Sequence, residues 1–287
     1  MPSGSGAFRM LPYSTGPRVR LIATNCQKSV LCSVVQAVRR HYQRTITMKG
    51  LLYLVVLLAF SGSCYAQRPA AYSAPAYKAT LQQLTQRRMA LATRYTNAST
   101  PAAKAACLVE ARKLWLNALD KTVFPAWEST PWSFYGQSWL PRQGSVACGY
   151  FVTTALFDTG LRLQRSLLAR QGSERLIKNL VAERNISRYR RISQAKFVQQ
   201  VRALGPGLYL VGLDFHVAFL RVSDGGAVQM VHASWIQPKP RVVREAADSS
   251  PALTSKYRVV GKLSADDALL KAWLLNQPLA VHNLSVK

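Results

Sequence analysis

Residues 208–235 read LYLVGLDFHVAFLRVSDGGAVQMVHASW. Three short runs, LYLVGL, HVAFLRV and AVQMVHASW, are separated by Asp214 and by Asp224-Gly225-Gly226. These are strand and hairpin signals: aspartate and glycine tolerate the backbone of tight turns, and β-branched or aromatic side chains suit a pleated, half-buried surface. Upstream of this stretch the apolar residues recur at helical spacing instead. Helices first and a sheet afterwards predict an α+β fold.

His216 and His232 fall in the second and third of these runs. A hairpin centred on Asp224 would set them directly opposite each other on one face, with Cβ atoms ~4.5–5.5 Å apart. One imidazole so placed can carry a proton while the other orients it and fixes its tautomer. Each histidine alone is equally compatible with a hydrogen-bonded core or surface residue.

The group such a pair would serve lies upstream. In SVACGYFVTTAL, residues 145–156, Cys148 precedes Phe151, Ala155 and Leu156 at helical intervals. A thiol in the first turn of a helix sits at the positive end of its dipole, which lowers its pKa from ~8.5 to roughly 3.5–7.5. Backbone N–H groups there, that of Cys148 included, can hold the oxyanion of a tetrahedral intermediate. The structural alternative is a disulfide with Cys107, the one other cysteine left once residues 1–66 are removed. Cys107 itself falls on the apolar side of AKAACLVEARKLWL and reads as a buried, inert thiol.

Cys148 at a helix start, His216-Val217-Ala218-Phe219-Leu220 and Val231-His232-Ala233-Ser234 together resemble the NlpC-type family of papain-fold cell-wall cysteine peptidases. Tyr135-Gly136 is similar to that family's tyrosine–glycine loop, and Pro206-Gly207 to its proline–glycine turn. The likeness runs from Trp132 to Trp235. It implies a papain-like fold in which the nucleophile-bearing helix packs on a small antiparallel sheet; the residue pattern places a helical hairpin before it. It also implies Cys148 as nucleophile, His216 as proton carrier, His232 as orienting residue and Tyr135 on the oxyanion side, acting on amide bonds in peptidoglycan stem peptides. The chain departs from the pattern at Ala147, where aspartate is usual, at Gly149-Tyr150, where serine-glycine is usual, and at Gln137, which replaces a loop glycine. Cysteine preceding histidine argues against the circularly permuted branch, which acts on lipids and other non-wall amides. Two alternatives stay open: the same fold acting on another amide or a protein, and a catalytically inert, basic, secreted binding module.

Charge and the N-terminus bear on where such a protein works. The 287 residues carry 38 Lys and Arg against 12 Asp and Glu, a formal net charge of +26, and the first acidic residue is Glu110. That balance favours a polyanionic partner. From Met48 the chain runs MKGLLYLVVLLAFSGSCYAQ, the basic, apolar and small-residue sequence of a secretory signal peptide ending at Ala66. A short membrane anchor or a buried helix is the alternative, but the apolar run Leu51–Phe60 falls short of the ~20 residues that span a bilayer. The 47 residues before Met48 read as an over-extended reading frame, or else as an unusually long n-region or a targeting extension. Without residues 1–66, which hold eight basic residues and no acidic one, the charge is +18. Export to the periplasm or the exterior is expected, with peptidoglycan or another anionic wall polymer as partner, no nucleic acid, and no membrane span in the mature chain. There is no glycine-rich phosphate loop and no zinc-spaced cysteine set, so no cofactor or metal is expected.

The expected organisation is therefore an extension 1–47, a signal peptide 48–66, a linker and helical hairpin 67–123, and a papain-like catalytic domain 124–287. The hairpin helices are placed at 78–96 and 101–119, with Pro101 in the first helical turn. Phe124–Gly144 reads as an aromatic, structured loop beside a cleft. Helices are expected at 148–170, 173–183 and 194–204, the last stopped by Gly205. A strand near Tyr257–Val260 and a helix capped by Ser264 close the chain. The Arg-rich stretch Arg184–Lys196 has no counterpart in the pattern of the family that the chain resembles.

Overall fold

A computed structural model of the protein describes residues 72–282. The extension 1–47, the signal segment 48–66 with its expected end at Ala66, and the beginning of the linker lie outside the described residues. Helices α1 (Ala74–Asn97) and α2 (Pro101–Ala118) form the expected hairpin. The Thr100 side chain accepts a hydrogen bond from the Ala103 N–H, and Pro101 occupies the first turn, where no amide donor is needed. The buried stripe Cys107, Ala111, Trp115 and Ala118 packs into the same core as the sheet. A π-helical turn (Leu119–Val123) and the short helix α3 (Phe124–Trp127) follow.

Helix α4 (Cys148–Asp158) is shorter than its apolar spacing predicts. It ends because Gly160 adopts φ +89°, and three tryptophans then hold the end in place. The indole N–H of Trp127 donates to Asp158, that of Trp115 to the Thr159 hydroxyl, and that of Trp273 to the Thr159 carbonyl. Helices α5 (Arg165–Ala169), α6 (Ser173–Leu180), α7 (Gln194–Ala203) and α8 (Asp267–Leu274) complete the helical part. Gly205 stops α7 at φ +83°. Asp266, not Ser264, caps α8; the Ser264 hydroxyl accepts from the Leu208 N–H instead.

The strands are β1 (Ile186–Arg190), β2 (Gly207–Leu213), β3 (Val217–Val222), β4 (Val228–Ser234), β5 (Arg241–Ala246) and β6 (Tyr257–Gly261). They form one antiparallel sheet in the order β1-β6-β2-β3-β4-β5. The chain is α+β. Strands β1 and β5 are the two that sequence patterning does not pick out. The Arg-rich stretch supplies β1, where Arg188 pairs with Glu174 at 2.8 Å and Glu183 at 2.5 Å.

Strand alternation divides the sheet into two dry faces. Leu208, Leu210, Phe219, Val231 and Val259 meet the helical layer that contains α4, and the Phe219 ring centroid lies 5.9 Å from that of Phe151, edge to face. Tyr209, Val211, Leu220, Met230 and Val260 meet Phe197, Val198 and Val201 of α7 on the other side. Among the described residues, no helix is long and apolar enough to cross a membrane.

Candidate active site

Cys148 opens α4, and Ala147 before it has no side chain able to cap the helix. The first-turn amides are thus left without a side-chain capping oxygen, and helical bonding starts with Phe151 N–H to the Ala147 carbonyl. Two glycines fix this turn. A Cβ at Gly149 would overlap the Ala169 carbonyl oxygen, so α5 can lie against the first turn only if residue 149 lacks one. A Cβ at Gly136 would collide with the Ser145–Val146 backbone, which runs directly into Cys148.

Cys148 and His216 line one cavity of about 220 Å³, together with Gln171, Ser173, Asp214 and Phe215. Asp214 and Phe215 also edge a larger open depression of about 800 Å³. Both Cys148 and Cys107 are free thiols, so the disulfide alternative does not hold. No hydrogen bond joins Cys148 to His216 among the described residues. Burial pushes the Cys148 thiol up, against the downward pull of the backbone N–H groups of Val217, Gly149 and Cys148 itself. The direction is opposite to that expected from helix position: desolvation of the anion outweighs the backbone hydrogen bonds.

The histidines meet by a register different from the expected one. Phe219 pairs with Val231 and Val222 with Val228, which centres the hairpin on Gly225 rather than Asp224. His216 precedes β3 and extends toward Ser234, so His232 is its diagonal neighbour. The shift is by two in the sum of paired positions, and both rings stay on one face. His216 Nε2 lies 2.9 Å from His232 Nδ1, with the rings nearly perpendicular at 78°. Both side chains are buried. Burial first, and repulsion from His232 second, hold the His216 pKa well below the ordinary 6.5.

Three further residues belong to this row. Glu245 on β5 lies opposite Met230, again one diagonal step along, and its Oε1 is 3.1 Å from His232 Nε2. The buried Ser250 hydroxyl donates to the same carboxylate oxygen. Bonds from His232 and Ser250 keep Glu245 below the usual carboxylate range despite its partial burial. Trp235 stands edge-on to the His216 ring at 4.7 Å. Glu245 escapes sequence reading because its strand, RVVREA, is polar, lies last in the sheet order and lacks a clean alternation. Trp235 stands beside the HAS segment in the sequence and could have been found there.

Tyr135 is not brought to the cavity. It is 83% exposed, stacks edge-on against Phe134 at 5.1 Å, and lines a separate shallow depression with Gln137, Trp139 and Gly144. Its loop is pinned elsewhere. The Arg165 guanidinium donates to the Gln137 and Ser138 carbonyls at 2.9 and 2.7 Å and stacks over Trp139 at 3.8 Å. Among the described residues, no group of three or more His, Cys, Asp and Glu side chains is placed to hold a metal ion. No family model, no curated protein and no solved structure matches the chain.

Proposed function

We propose that this chain is an exported, papain-like cysteine hydrolase of the NlpC type, cleaving amide bonds in the peptide stems of peptidoglycan. The observation that carries the reading is the joint placement of Cys148, at an uncapped helix start, and His216, already bonded to His232, on one cavity. In the reaction, the Cys148 S–H proton passes to His216 as sulfur bonds to the scissile carbonyl carbon. The carbonyl π pair moves onto oxygen, facing the Cys148 N–H. Collapse breaks the C–N bond, and the leaving amine takes the proton from His216. Water, deprotonated by His216, then hydrolyses the thioester and restores the thiol. A formal charge of +18 after removal of residues 1–66 suits an anionic wall.

The test is digestion of purified peptidoglycan by the protein and by its Cys148→Ser variant, with released fragments sized by mass spectrometry. New peptide termini from the wild type alone are expected; identical fragment patterns overturn the reading. The pH profile is a second check. A His216 held below 6.5 remains a neutral base at pH 6, so kcat/KM keeps its plateau there and declines only at lower pH. An acid limb at or above pH 6.5 contradicts this role.

One feature favours an inert binding module instead: burial pushes the Cys148 thiol up, and among the described residues no hydrogen bond joins it to His216. That reading predicts unchanged wall binding, and no hydrolysis, in wild type and Cys148→Ser alike.

A further inference from the structure

We propose that Glu245 sets the tautomers of both buried histidines and thereby makes His216 Nδ1 the atom that accepts the Cys148 proton. This rests on the hydrolase reading for its use but not for its geometry. An ionised carboxylate only accepts hydrogen bonds. At 3.1 Å from Glu245 Oε1, His232 Nε2 must therefore carry a hydrogen, and in the neutral ring that leaves Nδ1 as a lone pair. At 2.9 Å, the donor that meets that lone pair among the described residues is His216 Nε2–H. A neutral His216 with its hydrogen on Nε2 has its basic lone pair on Nδ1. One acidic side chain on an edge strand thus decides, through two imidazoles, which nitrogen can serve as base.

The surroundings preserve this logic. Ser250 donates to the same Oε1, so the carboxylate is anchored as an acceptor without a competing cation. Arg244, next to Glu245 in sequence, projects from the opposite face and donates to Asp120 at 2.9 Å and Glu128 at 3.1 Å. The ionisable groups facing His216 are His232, Cys148 and Asp214, and the Asp214 carboxylate is occupied by Ser255 and the Lys256 N–H. Trp235 covers one side of the His216 ring. Glu245 is a positioning residue: it acts on the reaction only through His232 and His216.

The tautomers are read directly by side-chain ¹⁵N NMR of histidine-labelled protein at pH 7, a measurement that needs no substrate. Both rings should be Nε2–H in the wild type. Glu245→Ala should release His232 into a mixture of tautomers and slow turnover by about 100-fold. Glu245→Gln, which keeps the shape and can still accept through its amide oxygen, should recover roughly a tenth of the wild-type rate. It should also lower the apparent pKa of the acid limb, because the charge that favours an imidazolium is gone. KM should not move in either variant. A His232 ring protonated on Nδ1 in the wild type overturns the proposal, as do unchanged tautomers and acid limb in Glu245→Ala. A wild type with the expected tautomers but no hydrolysis would overturn the enzymatic reading alone.

Discussion

The two sides of the Cys148 cavity are held in different ways. On the base side, His216, His232 and Glu245 are linked in a row, and one ring nitrogen of His216 stands outside those links. On the thiol side, the backbone N–H groups of Val217, Gly149 and Cys148 lie near the sulfur, and burial pushes the thiol up. The contrast separates two tasks in the proposed chemistry. The imidazoles are oriented before a substrate arrives, whereas the thiolate forms only as its proton leaves during attack.

The sharpest way to break this comparison is to remove the base. His216→Ala should reduce turnover by at least ~10³-fold, because no other imidazole among the described residues lines the cavity with Cys148. His232→Asn should stay within about 10- to 100-fold of wild type, since an amide can still accept the His216 Nε2–H. Single-turnover rates on one stem peptide decide it. Equal losses in the two variants would mean that the row acts as a structural unit and not as carrier and support.

A smaller effect probes the thiol side. Alkylation of Cys148 by iodoacetamide, followed peptide by peptide against pH, should titrate above the unperturbed ~8.5, with a rate at pH 7 below that of an exposed thiol. The midpoint should not move in His216→Ala, since no bond joins the two groups at rest. A midpoint near pH 6 that rises in that variant would replace the present asymmetry with a preformed ion pair.

The mildest perturbation lies at the far end of α4. Burial raises Asp158 from the ordinary 3.8 to about 6, offset in part by hydrogen bonds from Tyr77 and Trp127 and by the Arg165 charge. The folded state then binds more protons than the unfolded one between those pH values, so this residue's contribution to stability falls as pH rises through that window. A rise of that size corresponds to roughly 3 kcal/mol at most. Asp158→Asn keeps an oxygen to accept from Tyr77 and Trp127 and removes the dependence. The gap between variant and wild-type melting temperatures should widen in the variant's favour from pH 4 to pH 7; a constant gap would show that Asp158 titrates as an ordinary surface carboxylate.

How much of this is legible in the sequence depends on which physical signal each part carries. Strands β2, β3, β4 and β6 are apolar and bounded by turn residues, so local pattern reveals them. Strands β1 and β5 lie at the sheet edges and expose charged side chains, so periodicity misses both, and Glu245 with them. The facing of His216 and His232 survives an error in hairpin centre because the error is even, and side chains repeat with period two. Apolar spacing overestimates the length of α4 because it continues through Leu161 and Leu163, past the backbone reversal at Gly160. Nothing in the sequence weighs the desolvation of Cys148 against its helix position. That balance depends on residues that arrive from β3 and α5.

The sheet edge has a mechanical consequence. Strand β5 is not left open: the Ser129 N–H donates to the Val242 carbonyl, and the Val242 N–H donates to Thr130. The next residue, Pro131, accepts from the Val146 N–H, two positions before Cys148. Arg244 latches the same strand to Asp120 and Glu128. One short backbone segment is thus tied both to the strand that bears Glu245 and to the lead-in of α4. Local opening of this edge, a fluctuation smaller than global unfolding, would detach the carboxylate from the histidines and slacken the approach to Cys148 together. Hydrogen exchange at the Val242 and Val146 amides should then proceed through one shared opening, and the lifetime of the closed edge would bound how long the site stays assembled.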